Sequence, residues 1–549
     1  METQRFIPQN DAAQLIVVDS GKIRSYSLDG RQMWSFGREE PGAVSNPDVH
    51  VASRIVSRDH GAFLKSNTGW LYVDKPVNTN GTFHNERKMD RPAQPGMRTN
   101  VRLSNGDVLR VDKGNDHSSE GVLMVFMTAP VRGKWSVLPM AGKTSIVIGR
   151  DPGCDIVEPY PYFSRNHAKI TNENGRFYVT DCGSRAGSYL NKKRITGRTE
   201  LRDKDCINLC SRNYFVMGTN LVYVRSDRKQ EQAILNQTNP INRPVVLRAD
   251  IETKKVKNNS GSGMKELIRD IHLEIREGTL VALLGTAGAG KSTVMNCLNG
   301  MDLEGVRGSV IYRDVDLMED FDQMKFLIGS VPQKKTFHRF FTPEREFTYA
   351  AIKRLPADTT KAEVRERVDR TLEMLSMTGV RSNRNSKLSG GEQTRVNVGI
   401  ELVADRDLLC LDEPDQGLSP NYKHELFEIM RNLAHQNGKS VLTIIHDVSE
   451  IDMFDQVIML AKVDGVGRLA FSGTPAEAKQ FFGCDIRDAY ALLERALPST
   501  SLWARAPAQT PSVWICRNSP WWAPPPGQVS CPRLCGPVRR ESAAGTVYA

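Results

Sequence analysis

Long apolar runs are missing from this chain of 549 residues. No stretch reaches the roughly 18 apolar residues that a membrane-crossing helix needs, so none is expected. The start, METQRFIPQND, lacks a charged-then-apolar leader. Ten cysteines are scattered without a CxxC pair. Cys206 and Cys210, in the strand-like CINLC, read as buried thiols rather than zinc ligands. These absences point to a reducing, cytosol-facing compartment. Charge of one sign is only mildly in excess: 74 Lys and Arg against 64 Asp and Glu give +10. Part of that is local, since beyond residue 500 five arginines face one acid, Glu541. A mild basic balance allows nucleic acid, anionic lipid or nucleotide and selects none of them. Hydrophobic residues at 39% and charged residues at 25% exclude wholesale disorder. The length implies about three to five domains.

A repeat organises the first 225 residues. Gly37–Arg38, Ser57–His60 (SRDH) and Asn80–Asn85 (NGTFHN) recur in order as Gly149–Arg150, Ser164–His167 (SRNH) and Gly187–Asn191 (GSYLN). Around them lie short β-rich runs bounded by Gly, Asn and Asp, such as WLYVD, SIVIGR and RFYVTD. Two β-sandwiches of one kind are expected. The polar stretch 226–243 reads as a linker. From about Val245 the pattern becomes strand, loop, helix. VALLG, LLCLDEP and VLTIIHD are continuous apolar strands, which indicates a parallel sheet covered on both faces. KAEVRERVDRTLEMLSM is an amphipathic helix. Beyond about Leu497, Trp503, Trp514, Trp521 and Trp522 crowd among prolines and cysteines without any period, and no structure is assigned there.

GTAGAGKST (Gly285, Thr286, Ala287, Gly288, Ala289, Gly290, Lys291, Ser292, Thr293) follows an apolar strand and opens a helix. Its glycines let backbone N–H groups converge on phosphate oxygens; Lys291 adds a positive charge and Ser292 a hydroxyl for Mg²⁺. Asp412 and Glu413 end the strand of LLCLDEP, where one carboxylate can hold Mg²⁺ and the next polarise a water. LSGGEQ (Leu388, Ser389, Gly390, Gly391, Glu392, Gln393) places a Ser and two glycines before a helix, a second anion cradle. His446 ends VLTIIHD, within reach of a terminal phosphate, and Gln333 in VPQ offers a water or metal contact.

In this order the motifs resemble the ATP-binding cassette (ABC) family over about residues 245–483. The resemblance implies a P-loop α/β nucleotide-binding domain with a helical subdomain, binding ATP and Mg²⁺. It makes Glu413 the general base, His446 the switch histidine and Gln333 the Q-loop residue. Ser292, Gln333 and Asp412 become the metal side. Ser389–Gln393 match the signature, which in this family closes over the ATP of a second cassette, so a cassette dimer with itself or a related cassette is implied. FTPEREFTYAAIKRLP and GRLAFSGTPAEAKQFFG resemble the lipid- and pigment-exporter subfamily. Two departures stand out: Ser419 ends QGLS where the family usually has Asp, and no aromatic stands in IETKKVKNN to stack on adenine.

The repeated unit resembles the forkhead-associated (FHA) domain, a β-sandwich that binds phosphothreonine peptides through loops at one end. Arg38 and Ser57 match its phosphate-contacting pair and Thr79 and Asn80 its peptide loop, with His60 bracing the loop. The second copy keeps Arg150, Ser164 and His167 but has Arg185 and Ala186 in place of Thr79 and Asn80. The expected architecture is multidomain: FHA-like sandwiches at 1–130 and 131–225, a linker at 226–243, the cassette at 244–484, and a disordered extension at 485–549. The expected function is the ATP-hydrolysing subunit of a transporter at the inner face of a membrane. Its expected partners are a membrane-spanning subunit, or a lost membrane domain of this chain, and a phosphothreonine protein such as a Ser/Thr kinase. No nucleic-acid partner is expected. The competing readings are a phosphopeptide scaffold with a nucleotide switch, and a soluble non-transport ABC ATPase.

Overall fold

The computed structural model describes residues 13–489 apart from short stretches, most of them between 20 and 133, together with 502–505 and 514–517. Each N-terminal module is a sandwich of a six-stranded and a five-stranded sheet, and the strand orders of the two modules correspond. In the second module the strand Asn220–Arg225 pairs with both Arg212–Met217 and Lys134–Pro139. The equivalent place in the first is filled from the other end of the chain, by Gln14–Asp19 between Val122–Met127 and Lys22–Ser27.

That N-terminal strand, QLIVVD, is buried on both faces. Leu15 and Val17 enter the core of their own sandwich. Ile16 and Val18 turn outward, and with Leu123 and Val125 they pack on Cys206, Phe215 and Val222 of the second module. Continuous hydrophobicity here marks a strand sandwiched between two packing surfaces. Burial drives the Cys206 thiol up to about 12 and raises that of Cys210 as well, so both are inert core thiols.

The polar stretch after the second module differs from the linker expectation. Arg228–Gln237 is a helix. Its Leu235 is buried against Gly278 and Gly438, and Arg243 reaches the carbonyl of Gly278. Leu235 anchors this polar helix to the cassette.

The cassette is built on a ten-stranded sheet. The parallel expectation holds for the half that carries the motifs: Leu280–Gly285 lies between Ser440–Ile444 and Gln456–Val463, and Leu408–Asp412 and Ile328–Val331 follow outward. The other half is largely antiparallel, around Val245–Lys257 and Met264–Arg276. Their alternating burial distinguishes them from the fully buried LVALLG. Helices Pro343–Arg354, Lys361–Met374 and Gly390–Leu402 are inserted between Ile328–Val331 and Leu408–Asp412 and share one core with the sheet's inner face. The C-terminal extension, expected without structure, contributes one antiparallel pair, Leu502–Arg505 with Trp514–Arg517. Its aromatic and β-branched content favours strands even without a period.

Candidate functional site

The phosphate-type loop joins Leu280–Gly285 to the helix Lys291–Leu298. Gly288 and Gly290 take left-handed backbone, φ 73° and 86°, which side-chain-bearing residues avoid. Gly290 is the helix N-cap and no side chain caps that end, so its first N–H groups face the loop. Among the described residues the buried Thr286 hydroxyl has no hydrogen-bond partner. Lys291 is 9% exposed, and its ammonium donates to the Gly285 carbonyl at 2.8 Å and the Thr286 carbonyl at 3.4 Å. Ser292 is exposed at the next position. This is a cradle of backbone donors with one buried cation, chemistry that fits a polyphosphate and its metal.

Three strand ends bring the polar residues together. Glu413 follows Leu408–Asp412, His446 follows Ser440–Ile444, and Gln333 follows Ile328–Val331. His446 Nε2 lies 2.6 Å from Glu413 Oε1, and Gln333 Nε2 donates to Glu413 Oε2 at 2.8 Å. Glu413 has φ 48°, a left-handed conformation that costs a glutamate on the order of 1–3 kcal/mol and is held by its surroundings. Burial and the adjacent Glu413 carboxylate raise the Asp412 carboxyl, with Lys291 and His446 opposing. A cation beside Asp412 would favour its ionised form.

Sequence reasoning missed two parts of this cluster. Gln416 donates to Glu413 Oε2 at 3.3 Å and accepts from Gln333. Lys423 Nζ holds Asp447 Oδ2 at 2.8 Å, and with the Ser449 N–H it drives that carboxyl down to about 2, fixing the loop that carries His446. The spacing of Gln416, three residues after Glu413, was the available signal.

The signature residues stand apart from that cluster on the helix Gly390–Leu402. Ser389 caps it, accepting from the Glu392 N–H while Glu392 accepts from the Ser389 N–H. Gln393 donates to the Leu388 carbonyl and accepts from Lys335 Nζ at 2.9 Å.

In the first sandwich the Arg38 N–H donates to Ser57 O and the Arg38 guanidinium to Arg54 O. Asn80 Nδ2 donates to Ile55 O at 2.8 Å, so it ties its loop to the neighbouring one. Thr79 lies outside the described residues. His60 is fully buried, accepts from the Ser57 N–H through Nδ1 and meets Thr82 through Nε2. Burial lowers it to about 4 against the pull of Asp59, so it is a neutral brace.

The second sandwich differs at the same place. Arg150 pairs with Glu363 and lies 3.8 Å from Asp358 of the cassette. The Arg165 N–H donates to Asp358 Oδ2 at 2.6 Å. Arg185 donates to the Lys353 carbonyl at 2.6 Å and to that of Leu355. Ser164 is buried, and its hydroxyl accepts from the Arg185 N–H at 3.4 Å.

Comparison with known proteins follows the same division. Residues 268–416 match the model of the ABC transporter family, and residues 34–112 and 146–210 each match that of the FHA domain. The ABC transporter ATP-binding/permease protein Rv1747 of Mycobacterium tuberculosis is 31% identical over 62% of this chain and 37% of its own length. ABC transporter G family member 19 of Arabidopsis thaliana is 31% identical over 40% of this chain and 31% of its own. The chain thus spans about a third of the length of these curated relatives. Among solved structures, a post-hydrolysis dimer of the ATP-binding cassette MJ0796 is 22% identical over 42% of this chain and 98% of its own, with a TM-score of 0.37.

Proposed function

Because the chain belongs to the ABC transporter family through its cassette and carries two FHA domains ahead of it, we propose that it is the ATP-hydrolysing component of a membrane transporter, regulated by a phosphothreonine protein. The observation that supports this most is the convergence of Gln333 and His446 on the two oxygens of Glu413, at strand ends beside the loop of Lys291.

In this reading Gly285–Thr293 cradle the phosphates of ATP through backbone N–H groups, and Lys291 leaves the Gly285 carbonyl to meet the outer phosphates. Ser292, Asp412 and Gln333 would hold Mg²⁺, whose charge offsets that of the phosphate oxygens. Glu413 takes a proton from the attacking water. His446 orients that carboxylate and faces the terminal phosphate. Leu388–Gln393 would close over ATP held by a second cassette, supplying the cap of the Gly390–Leu402 helix as the opposing anion site. No described helix is long and apolar enough to cross a membrane. The proposed position is the inner face of a membrane, with transport through a membrane-spanning subunit or a lost membrane domain of this chain. Arg38 and Ser57 are its phosphothreonine contacts.

Purification of the tagged chain from membranes, followed by phosphate-release assays with Mg²⁺ and ATP, tests both halves. A co-purifying membrane-spanning protein and Mg²⁺-dependent release are expected. Recovery with soluble proteins alone overturns the transport half, and absence of release overturns the hydrolytic half.

A further inference from the structure

The second sandwich directs its recognition loops at the cassette. The segment from Leu355 to Glu363 comprises the loop between the helices Pro343–Arg354 and Lys361–Met374 and the first turn of the second. It offers two carboxylates, Asp358 and Glu363, to the loops that carry Arg150, Ser164 and Arg185. Arg150, the position matching the phosphate-binding arginine of the first module, spends its guanidinium on this turn and on the Phe163 carbonyl. Arg185, which replaces the first module's Thr79, grips two backbone carbonyls there. The departure from the first module's loop thus has a structural counterpart: a long cationic donor suits fixed carbonyls of a neighbouring domain better than a short hydroxyl does.

The grip extends to the signature helix. Arg185 holds the carbonyls on either side of Arg354. Arg354 in turn pairs with Glu401 at 2.6 Å and donates to the Ile400 carbonyl, at the end of the helix that Ser389 begins.

We propose that the recognition face of the second module is an internal docking surface whose resident ligand is the acidic turn Asp358–Glu363, its two carboxylates engaging the arginine that would otherwise bind a phosphate. This rests on the FHA reading of Arg150. A phosphothreonine peptide then engages Arg150 only by displacing the turn. A dianionic phosphate competes with two fixed carboxylates that bind without any association cost. Displacement frees the helices that lead to Ser389, so the module acts on the cassette from within the same chain.

A charge swap in the full-length chain tests this. Arg150→Glu and Glu363→Arg should each speed amide hydrogen exchange across residues 353–358, upstream of the cap that Glu363 shares with Thr360, by about tenfold or more, and the double variant should restore protection. Unchanged exchange in the single variants, or a double variant no better than either, overturns the proposal. Exchange of the strand Ala168–Glu173 reports whether the module itself stays folded. If Arg150→Glu loosens that strand, the pair Asp358→Asn and Glu363→Gln serves instead, since Gln preserves the helix cap; it too must speed exchange at 353–358 for the proposal to stand. In a chain also carrying Arg38→Ala, a phosphothreonine peptide should bind about tenfold more tightly once Asp358 and Glu363 are neutralised. Equal and measurable binding before and after overturns the competition. No binding in either, with docking restored by the charge swap, supports the internal ligand and removes only the phosphopeptide reading of this module.

Discussion

Replacing Gly37 by Ala is a small perturbation with a large expected effect. A Cβ at Gly37 would lie 1.9 Å from the Arg58 carbonyl oxygen and 2.6 Å from its carbon. The obstacle is backbone, so the Ser57–His60 loop must retreat by about an ångström to reach van der Waals separation. That loop is held by Arg38 N–H to Ser57 O and by His60 N–H to Phe36 O, both at 2.9 Å. Overpacking of this kind costs about 1–3 kcal/mol. Arg38 and Ser57, assigned to the phosphate, would also lose their mutual geometry, and one weakened charge-assisted hydrogen bond of about 1.5–3 kcal/mol lowers peptide affinity by tenfold or more. Hydrogen exchange of the strand Gly61–Ser66 and titration of a phosphothreonine peptide into the full chain measure the two losses. Gly197→Ala is the control: no atom stands within 4 Å of its Cβ position, and a change within about 0.5 kcal/mol is expected. If Gly37→Ala keeps both protection and affinity, the steric coupling between the two loops is wrong.

Further outcomes follow from other sites. His60, lowered to about 4 by burial, binds a proton more readily unfolded than folded. Its contribution to stability is therefore complete above about pH 6.5 and is lost as pH falls toward 4, a total of about 3 kcal/mol; His60→Gln should flatten the pH dependence of exchange in Gly61–Ser66. Asp405 holds Lys439 at 3.0 Å and Arg367 at 3.2 Å with little exposure of any of the three. Asp405→Asn leaves Lys439 with Asp407 at 3.3 Å and Arg367 with the Val403 and Leu402 carbonyls, and should cost about 3 kcal/mol in cassette unfolding by denaturant, a loss under about 1 kcal/mol being contrary. Lys291→Ala should weaken ATP binding itself, measured by equilibrium titration, because the buried cation of the proposed phosphate loop is removed.

The parts legible in the sequence were those carried by short contiguous patterns. Gly285–Thr293 and Leu388–Gln393 each form a local turn into a helix, so the string specifies the geometry. The GR and SRxH pairs were legible as a repeat, and the close approach of Gly37 to Arg58 and of Gly149 to Arg165 gives their reason. What stayed hidden was tertiary. The partner of Arg150 is Glu363, 213 residues away, and nothing near either residue announces the other. The double burial of Gln14–Asp19 depends on a neighbouring sandwich, and the antiparallel half of the ten-stranded sheet on strands far apart in the chain. The helix Arg228–Gln237 was obscured because its composition is mostly polar, so that the buried Leu235 stands in no readable period.

Glu413 is the proposed base of a nucleotide-hydrolysing site, and Glu413→Gln tests that role most directly. Glutamine preserves the shape and accepts one hydrogen bond but cannot take a proton from water. Equilibrium ATP binding should stay near the wild-type value and trap a cassette dimer, while steady-state phosphate release falls by about a hundredfold or more. Release at the wild-type rate, or loss of ATP binding together with turnover, would contradict the assignment.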